Sequence, residues 1–386
     1  MYSRFVEFDR VVKFIQETYN TKDFLPLHEP RFIGNEKKYV NEAIDSTFVS
    51  SVGKYVIEFE EMMAKFVGSK YAVATSNGTS ALHIGLKLVG VDENSEVITQ
   101  PLTFIATANA IAYCNAKPIF VDVDRDTLGL SAQKLEAFLE ASTFLNEDNE
   151  CVNKTTNKII KACVPMHTFG HACKIEEIVE ICNRYNIIVV EDAAESLGSY
   201  YKGQHTGTFG KVGIFSFNGN KIITTGGGGM IVTDDETLAK RAKHISTTAK
   251  VPDPYEYIHD EVGYNYRLTN LAAAMGVGQM ESLEFFIGKQ RELAFKYKEF
   301  FKELELKFIE EPKDSSSNYW LNAVILKDRE TRDEFLKYTN NKGVMTRSIW
   351  RLMNKLEMFK EAQCGDLSNA QWLEDRVVNI SSSVVL

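Results

Sequence analysis

One lysine lies inside an apolar stretch of the chain, shortly before a run of four glycines. Residues 216–232 read SFNGNKIITTGGGGMIV, and Lys221 supplies the amine. Burial disfavours the ammonium form, and the neutral amine is the form that condenses with an aldehyde to a Schiff base. The alternative is a lysine whose amine extends to solvent, which is the usual case for an isolated lysine. Lys221 is therefore a candidate for covalent chemistry, provided that other residues complete a site.

A candidate anion site precedes this lysine in the chain. The segment SNGTSAL (76–82) follows the apolar run YAVAT and opens an apolar helical pattern. The amides around Gly78 and Thr79 would then lie at a helix N-terminus, which attracts phosphate. The alternative is an ordinary helix cap formed by Ser76, Asn77 or Thr79.

Two acidic residues end another apolar run. The segment EDAAESLG (191–198) follows NIIVV, so Glu191 and Asp192 close a buried strand. A carboxylate at such a place is costly without a fixed partner, so it belongs either to a structural ion pair or to a group that holds a proton on a bound heterocycle. An anion cradle, a carboxylate of this second kind and a Schiff-base lysine are the parts needed to bind pyridoxal phosphate. Together the three segments predict a pyridoxal-phosphate site.

Two nucleotide-binding motifs compete for the glycine run and fit poorly. TTGGGGM is not GxGxxG, and it precedes a strand pattern instead of opening a helix. The phosphate-loop pattern GxxxxGK[ST] does not occur in the sequence.

Seven short apolar runs alternate with helical patterns over the first two-thirds of the chain. They are YAVAT, EVITQ, KPIFVDVD, KIIKACVPMH, NIIVVEDAA, VGIFSF and GMIVT. Runs that are apolar on both faces predict an α/β fold with a mostly parallel seven-stranded sheet covered by helices. We therefore predict a large domain at 1–250, including an N-terminal helical segment, and a smaller α+β domain at 251–386. Ligands of such sheets bind at the carboxyl ends of the strands, where the segments described above converge with PLTFIATANA.

The composition excludes several classes of partner. The chain has 386 residues, 44% of them hydrophobic, and a net charge of −9 without a basic stripe, which argues against nucleic acid as a partner. No apolar run reaches membrane-spanning length, and the six cysteines lack CxxC pairing. We therefore expect a cytoplasmic enzyme with free thiols and no metal.

The ordered set of motifs resembles the DegT/DnrJ/EryC1/StrS family of sugar aminotransferases, which belong to fold type I of the pyridoxal-phosphate enzymes. The motifs are NGT-AL, TF-AT, EDAA-S-G, SF---K and GYNYRL, in this order between residues 77 and 268. The likeness runs from about residue 24 to the C-terminus. Within the family, the segments PLHEPRFIGNEKKYV, STFVSSVGKYV and PMHTFGH look most like 4-aminotransferases of bacillosamine-type or legionaminic-acid-type pathways.

The resemblance implies three roles around the cofactor ring. Lys221 would form the Schiff base and carry the proton between cofactor and substrate. Asp192 would keep the pyridine nitrogen protonated, and Phe104 would stack on the ring.

The resemblance also implies a phosphate cup and a shared active site. The amides of Gly78 and Thr79 and the hydroxyl of Ser216 would hold the phosphate. Asn265, in GYNYRL, would reach the same phosphate from a second subunit, which makes a homodimer the catalytic unit. Arg267 would bind the diphosphate of the substrate from the same loop.

Glu195 departs from the family pattern, because many members have glutamine or histidine at this position, near the phenolic oxygen of the cofactor. An ionised glutamate would repel a phenolate, so we expect Glu195 to be protonated or turned away. His167 and His171, in MHTFGHA, either line the sugar pocket or are structural.

These expectations combine into one function. The chain would transfer an amino group from L-glutamate to C4 of a nucleotide-linked 4-keto-6-deoxy sugar, with UDP-linked 2-acetamido-4-keto-2,6-dideoxyglucose as the first choice. The alternatives are a nucleotide-sugar 3-aminotransferase of the same family and a non-catalytic regulator that binds pyridoxal phosphate or a nucleotide sugar. A sugar dehydratase of the family is disfavoured, because in those enzymes histidine replaces the lysine.

Overall fold

The structure is a computed structural model that describes residues 2–386, with side chains from residue 5 onward. The helices within this range are α1 (Tyr2–Thr18), α2 (Glu36–Asp45), α3 (Lys54–Val67), α4 (Gly78–Leu88), α5 (Ile105–Tyr113), α6 (Ala132–Ser142), α7 (Ile175–Arg184), α8 (Glu236–Ser246), α9 (Asn270–Glu281), α10 (Leu283–Phe301), α11 (Arg329–Asn341) and α12 (Ser368–Glu374). Short 3-10 turns occur at Thr168–Gly170, Met353–Lys355 and Glu357–Phe359.

The strands of the same range are β1 (Tyr71–Thr75), β2 (Ser95–Thr99), β3 (Lys117–Phe120), β4 (Thr143–Leu145), β5 (Cys151–Asn153), β6 (Ile159–Val164), β7 (Ile188–Asp192), β8 (Tyr200–Tyr201), β9 (Gln204–His205), β10 (Val212–Ser216), β11 (Gly229–Thr233), β12 (Lys250–Val251), β13 (Ile258–His259), β14 (Lys307–Phe308), β15 (Ser315–Ser316), β16 (Asn322–Ile325), β17 (Arg347–Ser348) and β18 (Val377–Ile380).

The large sheet has the order β1-β11-β10-β7-β6-β2-β3. All neighbouring pairs from β10 to β3 are parallel, and β11 is antiparallel to both β1 and β10. The prediction of a mostly parallel sheet built from these seven runs is confirmed. A short hairpin, β4–β5, pairs with the start of β6. This hairpin was not predicted from the sequence.

Helices cover both faces of this sheet, as a parallel sheet requires. One apolar cluster joins α4, α5 and α8 to the strands, and a second joins α6 and α7 to the strands from the other side. Helix α3 ends where Gly68 adopts a left-handed conformation with φ of 79°, which glycine tolerates without strain. This layered arrangement leaves the carboxyl ends of the parallel strands free of covering helices and available for a site.

A four-stranded antiparallel sheet with the order β14-β16-β18-β17 forms the centre of the C-terminal part. Helices α1, α10 and α11 pack against it, and Phe8, Val11 and Ile15 of α1 are fully buried in this cluster. The N-terminal helix therefore belongs with the C-terminal sheet, whereas the expected boundary placed it with the large domain. Helix α9, beyond residue 250, packs against α2 and α3 of the large part.

Two smaller observations concern the thiols and the membrane. All six cysteines are unpaired, and Cys364 is the exposed one. Between residues 2 and 386, no helix has the length and apolarity needed to cross a bilayer.

Candidate active site

Lys221 lies in the loop that connects β10 to β11, at the carboxyl end of β10. The loop is closed by backbone hydrogen bonds from Phe217 to Gly228 and from Thr225 to Phe217, at 2.8 and 3.0 Å. The amine Nζ lies 3.7 Å from the centre of the Trp320 ring and 3.3 Å from Oε1 of Glu195. The lysine side chain is 12% exposed, so the amine is enclosed but accessible from one side.

The amine opens into a cavity of about 540 Å³, a volume typical of ligand sites. Seven of the residues predicted for the site line it: Gly78, Thr79, Phe104, Asp192, Glu195, Ser216 and Lys221. The cavity therefore brings together segments that are up to 143 residues apart in the chain (221 − 78).

The anion cradle is formed where the N-terminus of α4 meets the end of β10. Asn77 caps the helix, because its side chain accepts a hydrogen bond from the Ser80 amide at 2.8 Å. The helix cap is thus Asn77, whereas the predicted anion site is formed by the amides of Gly78 and Thr79. These first amides of α4 have no hydrogen-bond acceptor within the helix. A Cβ atom at Gly78 would lie 2.9 Å from Cβ and 3.1 Å from Oγ of Ser216. Glycine is therefore required for the close approach of these amides to the Ser216 hydroxyl.

Asp192 ends strand β7 at the bottom of the cavity and is 3% exposed. Its Oδ2 accepts a hydrogen bond from the Thr107 hydroxyl at 2.7 Å, and its Oδ1 accepts one from the Ala194 amide at 3.2 Å. Burial raises the pKa of Asp192 above its ordinary value, although the two hydrogen bonds act to lower it. A protonated ring nitrogen would supply the positive charge that favours the ionised carboxylate.

Glu195 is 3% exposed and faces Lys221. Its Oε2 accepts a hydrogen bond from the Phe169 amide at 2.9 Å, and its Oε1 is the oxygen near the lysine amine. Burial raises the pKa of Glu195 to about 7, although the charge of Lys221 and the Phe169 amide favour ionisation. The expectation that Glu195 is protonated or turned away from the phenolic oxygen of the cofactor stays a prediction.

Phe104 precedes α5 and is 51% exposed, although it lines the cavity. An aromatic ring with half of its surface free offers a face on which a flat ligand can stack.

The histidines of MHTFGHA do not line the cavity. His167 is fully buried, with Nε2 3.0 Å from Oε2 of Glu191, and its Nδ1 lies 3.3 Å from the Cys173 amide. His171 places Nδ1 2.9 Å from Oγ of Ser317. Glu191 also accepts hydrogen bonds from three backbone amides of residues 207–210. The structural interpretation therefore applies to these groups, and the placement of His167 in the sugar pocket is corrected, because its ring nitrogens are held inside the fold.

The two residues predicted in GYNYRL have different surroundings. Arg267 is 8% exposed, and its guanidinium donates to Oε1 of Glu60 at 2.8 Å and to the Ala74 carbonyl at 3.0 Å. These contacts hold the Arg267 guanidinium inside its own subunit. The expectation that Arg267 binds the diphosphate of the substrate is therefore corrected. Asn265 is exposed, pairs with Thr247 through a β-bridge and lies outside the cavity wall. Its contribution to a second subunit stays a prediction.

One contact of a cavity residue and several further cavity residues were not anticipated. Thr107 was part of the motif TF-AT, but its hydrogen bond to Asp192 has no signature in the sequence. Trp320 also lines the cavity. Its ring N–H donates a hydrogen bond to the carbonyl of Asn220, 100 residues earlier in the chain, at 2.6 Å. Arg347 and Asn379 reach the cavity from the C-terminal sheet, and no local motif marks them.

One small molecule matches the chemistry of this cavity. The amides at Gly78 would hold a phosphate, the amine of Lys221 would condense with an aldehyde, and the carboxylate of Asp192 would pair with a protonated nitrogen. Pyridoxal phosphate carries all three groups, so the residues present fit this cofactor. The fold and the site together define a pyridoxal-phosphate-dependent enzyme of fold type I.

Comparisons with known proteins identify the family. The chain belongs to the DegT/DnrJ/EryC1/StrS aminotransferase family, whose model matches residues 30–386. It is 40% identical over 338 residues to a GDP-perosamine synthase of Escherichia coli O157:H7, which covers 88% of each chain. It is 38% identical to the putative pyridoxal phosphate-dependent aminotransferase EpsN of Bacillus subtilis, over 87% of this chain and 84% of EpsN. The crystal structure of the aminotransferase TlmJ from Streptoalloteichus hindustanus matches with a TM-score of 0.83 at 26% identity, over 93% of both chains.

These findings confirm the resemblance seen in the sequence. The protein is a pyridoxal-phosphate-dependent nucleotide-sugar aminotransferase. When bound, the cofactor supplies an electrophilic aldehyde and an electron-withdrawing ring. Of the residues that line the cavity, Lys221 would provide the attacking amine, and Asp192 would provide the carboxylate that holds a proton on the ring nitrogen.

Proposed function

We propose that this enzyme transfers an amino group from L-glutamate to C4 of a nucleotide-linked 4-keto-6-deoxy sugar. The observation that carries the proposal is the position of the Lys221 amine, between Glu195 and Trp320, in the same cavity as Asp192. Three relatives that are 34–40% identical are named GDP-perosamine synthase, which supports a sugar amine at C4.

The roles of the residues follow from their contacts. Lys221 takes a proton from the amino donor and returns it at the sugar carbon, since its amine is the basic group that projects into the cavity. The positive charge of the protonated ring nitrogen keeps Asp192 ionised, and the Thr107 hydrogen bond holds this carboxylate in place. The exposed ring of Phe104 stacks on the ring of the cofactor. The order of events is ping-pong, because both substrates use one cavity in turn.

Two acceptor sugars are consistent with this proposal. The sequence segments favoured a UDP-linked 2-acetamido-4-keto-2,6-dideoxy sugar. The names of the relatives support a GDP-linked 4-keto-6-deoxyhexose instead, and we place it first. The two differ at C2, which carries an acetamido group in the first sugar and a hydroxyl in the second.

The test is product analysis with both sugars in parallel. The purified enzyme is loaded with pyridoxal phosphate, supplied with L-glutamate and one keto sugar, and the product is identified by NMR. A new amine at C4 of either sugar supports the proposal and identifies the nucleotide. A third reaction contains a 3-keto sugar nucleotide; an amine at its C3, with no product from either 4-keto sugar, would replace the proposal with the 3-aminotransferase alternative. The Lys221→Ala variant is the control for non-enzymatic amination.

We further propose that Asn265 completes the phosphate site of a second subunit. Its exposed position outside the cavity of its own chain supports this, because it leaves the amide free for a partner. Mixing inactive Lys221→Ala protein with inactive Asn265→Ala protein should restore part of the activity, since a mixed dimer has one intact site. No recovery after proven subunit exchange would contradict the shared site.

A further inference from the structure

We propose that Arg347 and Asn379 form a second anion-binding subsite, which receives an oxyanion of the substrates. This inference rests on the proposed function, because that function supplies the two candidate anions. They are the carboxylate of the amino donor and the diphosphate of the sugar nucleotide.

The two residues are neighbours on one face of the C-terminal sheet. Arg347 in β17 is directly opposite Asn379 in β18 in the antiparallel register. Directly opposed residues of such a pair project to the same face, with Cβ atoms about 4.5–5.5 Å apart. Both residues line the cavity that contains Lys221. The two side chains are therefore close enough to contact one small group.

Asn379 presents a polar atom that lacks a partner. The residue is 3% exposed, and its Nδ2 is buried without a hydrogen-bond acceptor among the described residues. A buried amide donor is costly when it is unsatisfied, so native structures rarely leave one without a ligand, water or protein acceptor. A substrate oxygen in the cavity would satisfy this amide.

Arg347 supplies the charge. It is exposed, and in the part of the chain that the structure describes its guanidinium takes part in no ion pair or side-chain hydrogen bond. The guanidinium and the unpartnered Nδ2 of Asn379 are both hydrogen-bond donors, which favours a ligand group with several acceptor oxygens. The acidic residues in the cavity wall, Asp192 and Glu195, have partners of their own in Thr107, Ala194, Phe169 and Lys221.

This subsite is distinct from the phosphate cradle. The cradle is built by Gly78 and Ser216 of the large part, whereas Arg347 and Asn379 come from the C-terminal sheet. The cavity thus has one anion site for the cofactor phosphate and a separate one for the substrate.

The experiment uses four variants of the cofactor-loaded enzyme, one of which is the conservative Arg347→Lys. Arg347→Gln removes the charge at an exposed position, where the fold does not depend on it. Asn379→Asp is nearly isosteric and places an anion beside Arg347 that competes with the substrate. Arg351→Gln is the matched control, because Arg351 is an exposed arginine nearby that does not line the cavity.

The first arm follows the half-reaction with L-glutamate alone by the change in cofactor absorbance. The second arm measures binding of UDP and of GDP to the loaded enzyme by calorimetry. We expect Arg347→Gln and Asn379→Asp to weaken the binding of glutamate, of the nucleotides, or of both, by about 10- to 100-fold. This is the range for loss of a hydrogen bond to a charged group. Arg347→Lys should recover part of the loss, and Arg351→Gln should match the wild type.

The arms identify the anion. A higher half-saturating concentration of glutamate, with an unchanged limiting rate, assigns the subsite to the donor carboxylate. Weaker nucleotide binding assigns it to the diphosphate, and a loss in both arms shows that the two substrates share it. Wild-type behaviour of both variants in both arms would overturn the subsite. Neither arm contains the keto sugar, so a wrong acceptor would contradict the proposed function and leave this result standing.

Discussion

Replacing Glu195 by glutamine should change how stability depends on pH. In the cofactor-free protein this carboxyl is buried, accepts the Phe169 amide and faces Lys221. Glutamine has nearly the same shape and keeps an oxygen for the Phe169 amide, but it cannot ionise. The substitution therefore isolates the titration of one carboxyl.

The expected magnitude follows from the pKa of Glu195. Burial raises this pKa from 4.5 to about 7 in the folded protein. A carboxyl with a raised pKa contributes stability that is fully present below pH 4.5 and is lost as the pH rises through 7, because the unfolded chain ionises first. The shift of about 2.5 pH units corresponds to ~3 kcal/mol in the free energy of unfolding. The stability of the variant relative to the wild type should rise by this amount across that pH window.

The assay is urea denaturation of the cofactor-free proteins, followed by tryptophan fluorescence at several pH values. Glu147→Gln is the control for the same chemical change at an exposed carboxyl, because Glu147 lies in the segment between β4 and β5. A constant difference in stability between Glu195→Gln and the wild type, from pH 4.5 to above pH 7, would show that burial does not perturb this carboxyl.

Three further substitutions test the cofactor site. Lys221→Arg should abolish turnover and leave the circular dichroism spectrum unchanged, because a guanidinium cannot form the Schiff base; retained turnover would exclude Lys221 from the chemistry. Asp192→Asn should lower the rate of amino transfer by about 100-fold or more, since the neutral amide does not hold a proton on the ring nitrogen; a normal rate in stopped-flow assays would refute this role. Gly78→Ala should weaken pyridoxal-phosphate binding by about tenfold or more in dialysis titrations, because the new Cβ would lie 2.9 Å from Cβ of Ser216. Gly288→Ala is its control, since a Cβ there meets no atom within 4 Å, and equal affinities of the two variants would contradict the cradle.

The large sheet and most of the cofactor site could be predicted from the sequence, for a local reason. Each strand is a continuous apolar run, and Asp192 and Ser216 lie at the end of such a run, where parallel strands expose their carboxyl ends. The alternation of runs and helices thus determines which residues meet, without knowledge of side-chain contacts.

The remaining features depend on contacts that leave no local pattern. The sequence shows that Arg267 follows a tyrosine-rich motif, but not that Glu60 neutralises it from 207 residues away. In the same way, the pairing of His167 with Glu191 is visible only when the strand and the following turn are in place. Trp320 reaches the cavity from the segment before β16, and Asn379 reaches it from β18; neither segment carries a motif.

The docking of α1 on the C-terminal sheet has a consequence for the synthesis of this protein. Phe8 packs edge-on against Phe335, more than 300 residues later in the chain. During synthesis the apolar face of this helix is therefore made more than 300 residues before Phe335, and it stays uncovered until the C-terminal sheet has formed. Contacts of such long sequence separation form slowly and leave apolar surface open to aggregation. Until the C-terminal sheet has formed, the apolar face of α1 is thus a place where incomplete chains can associate.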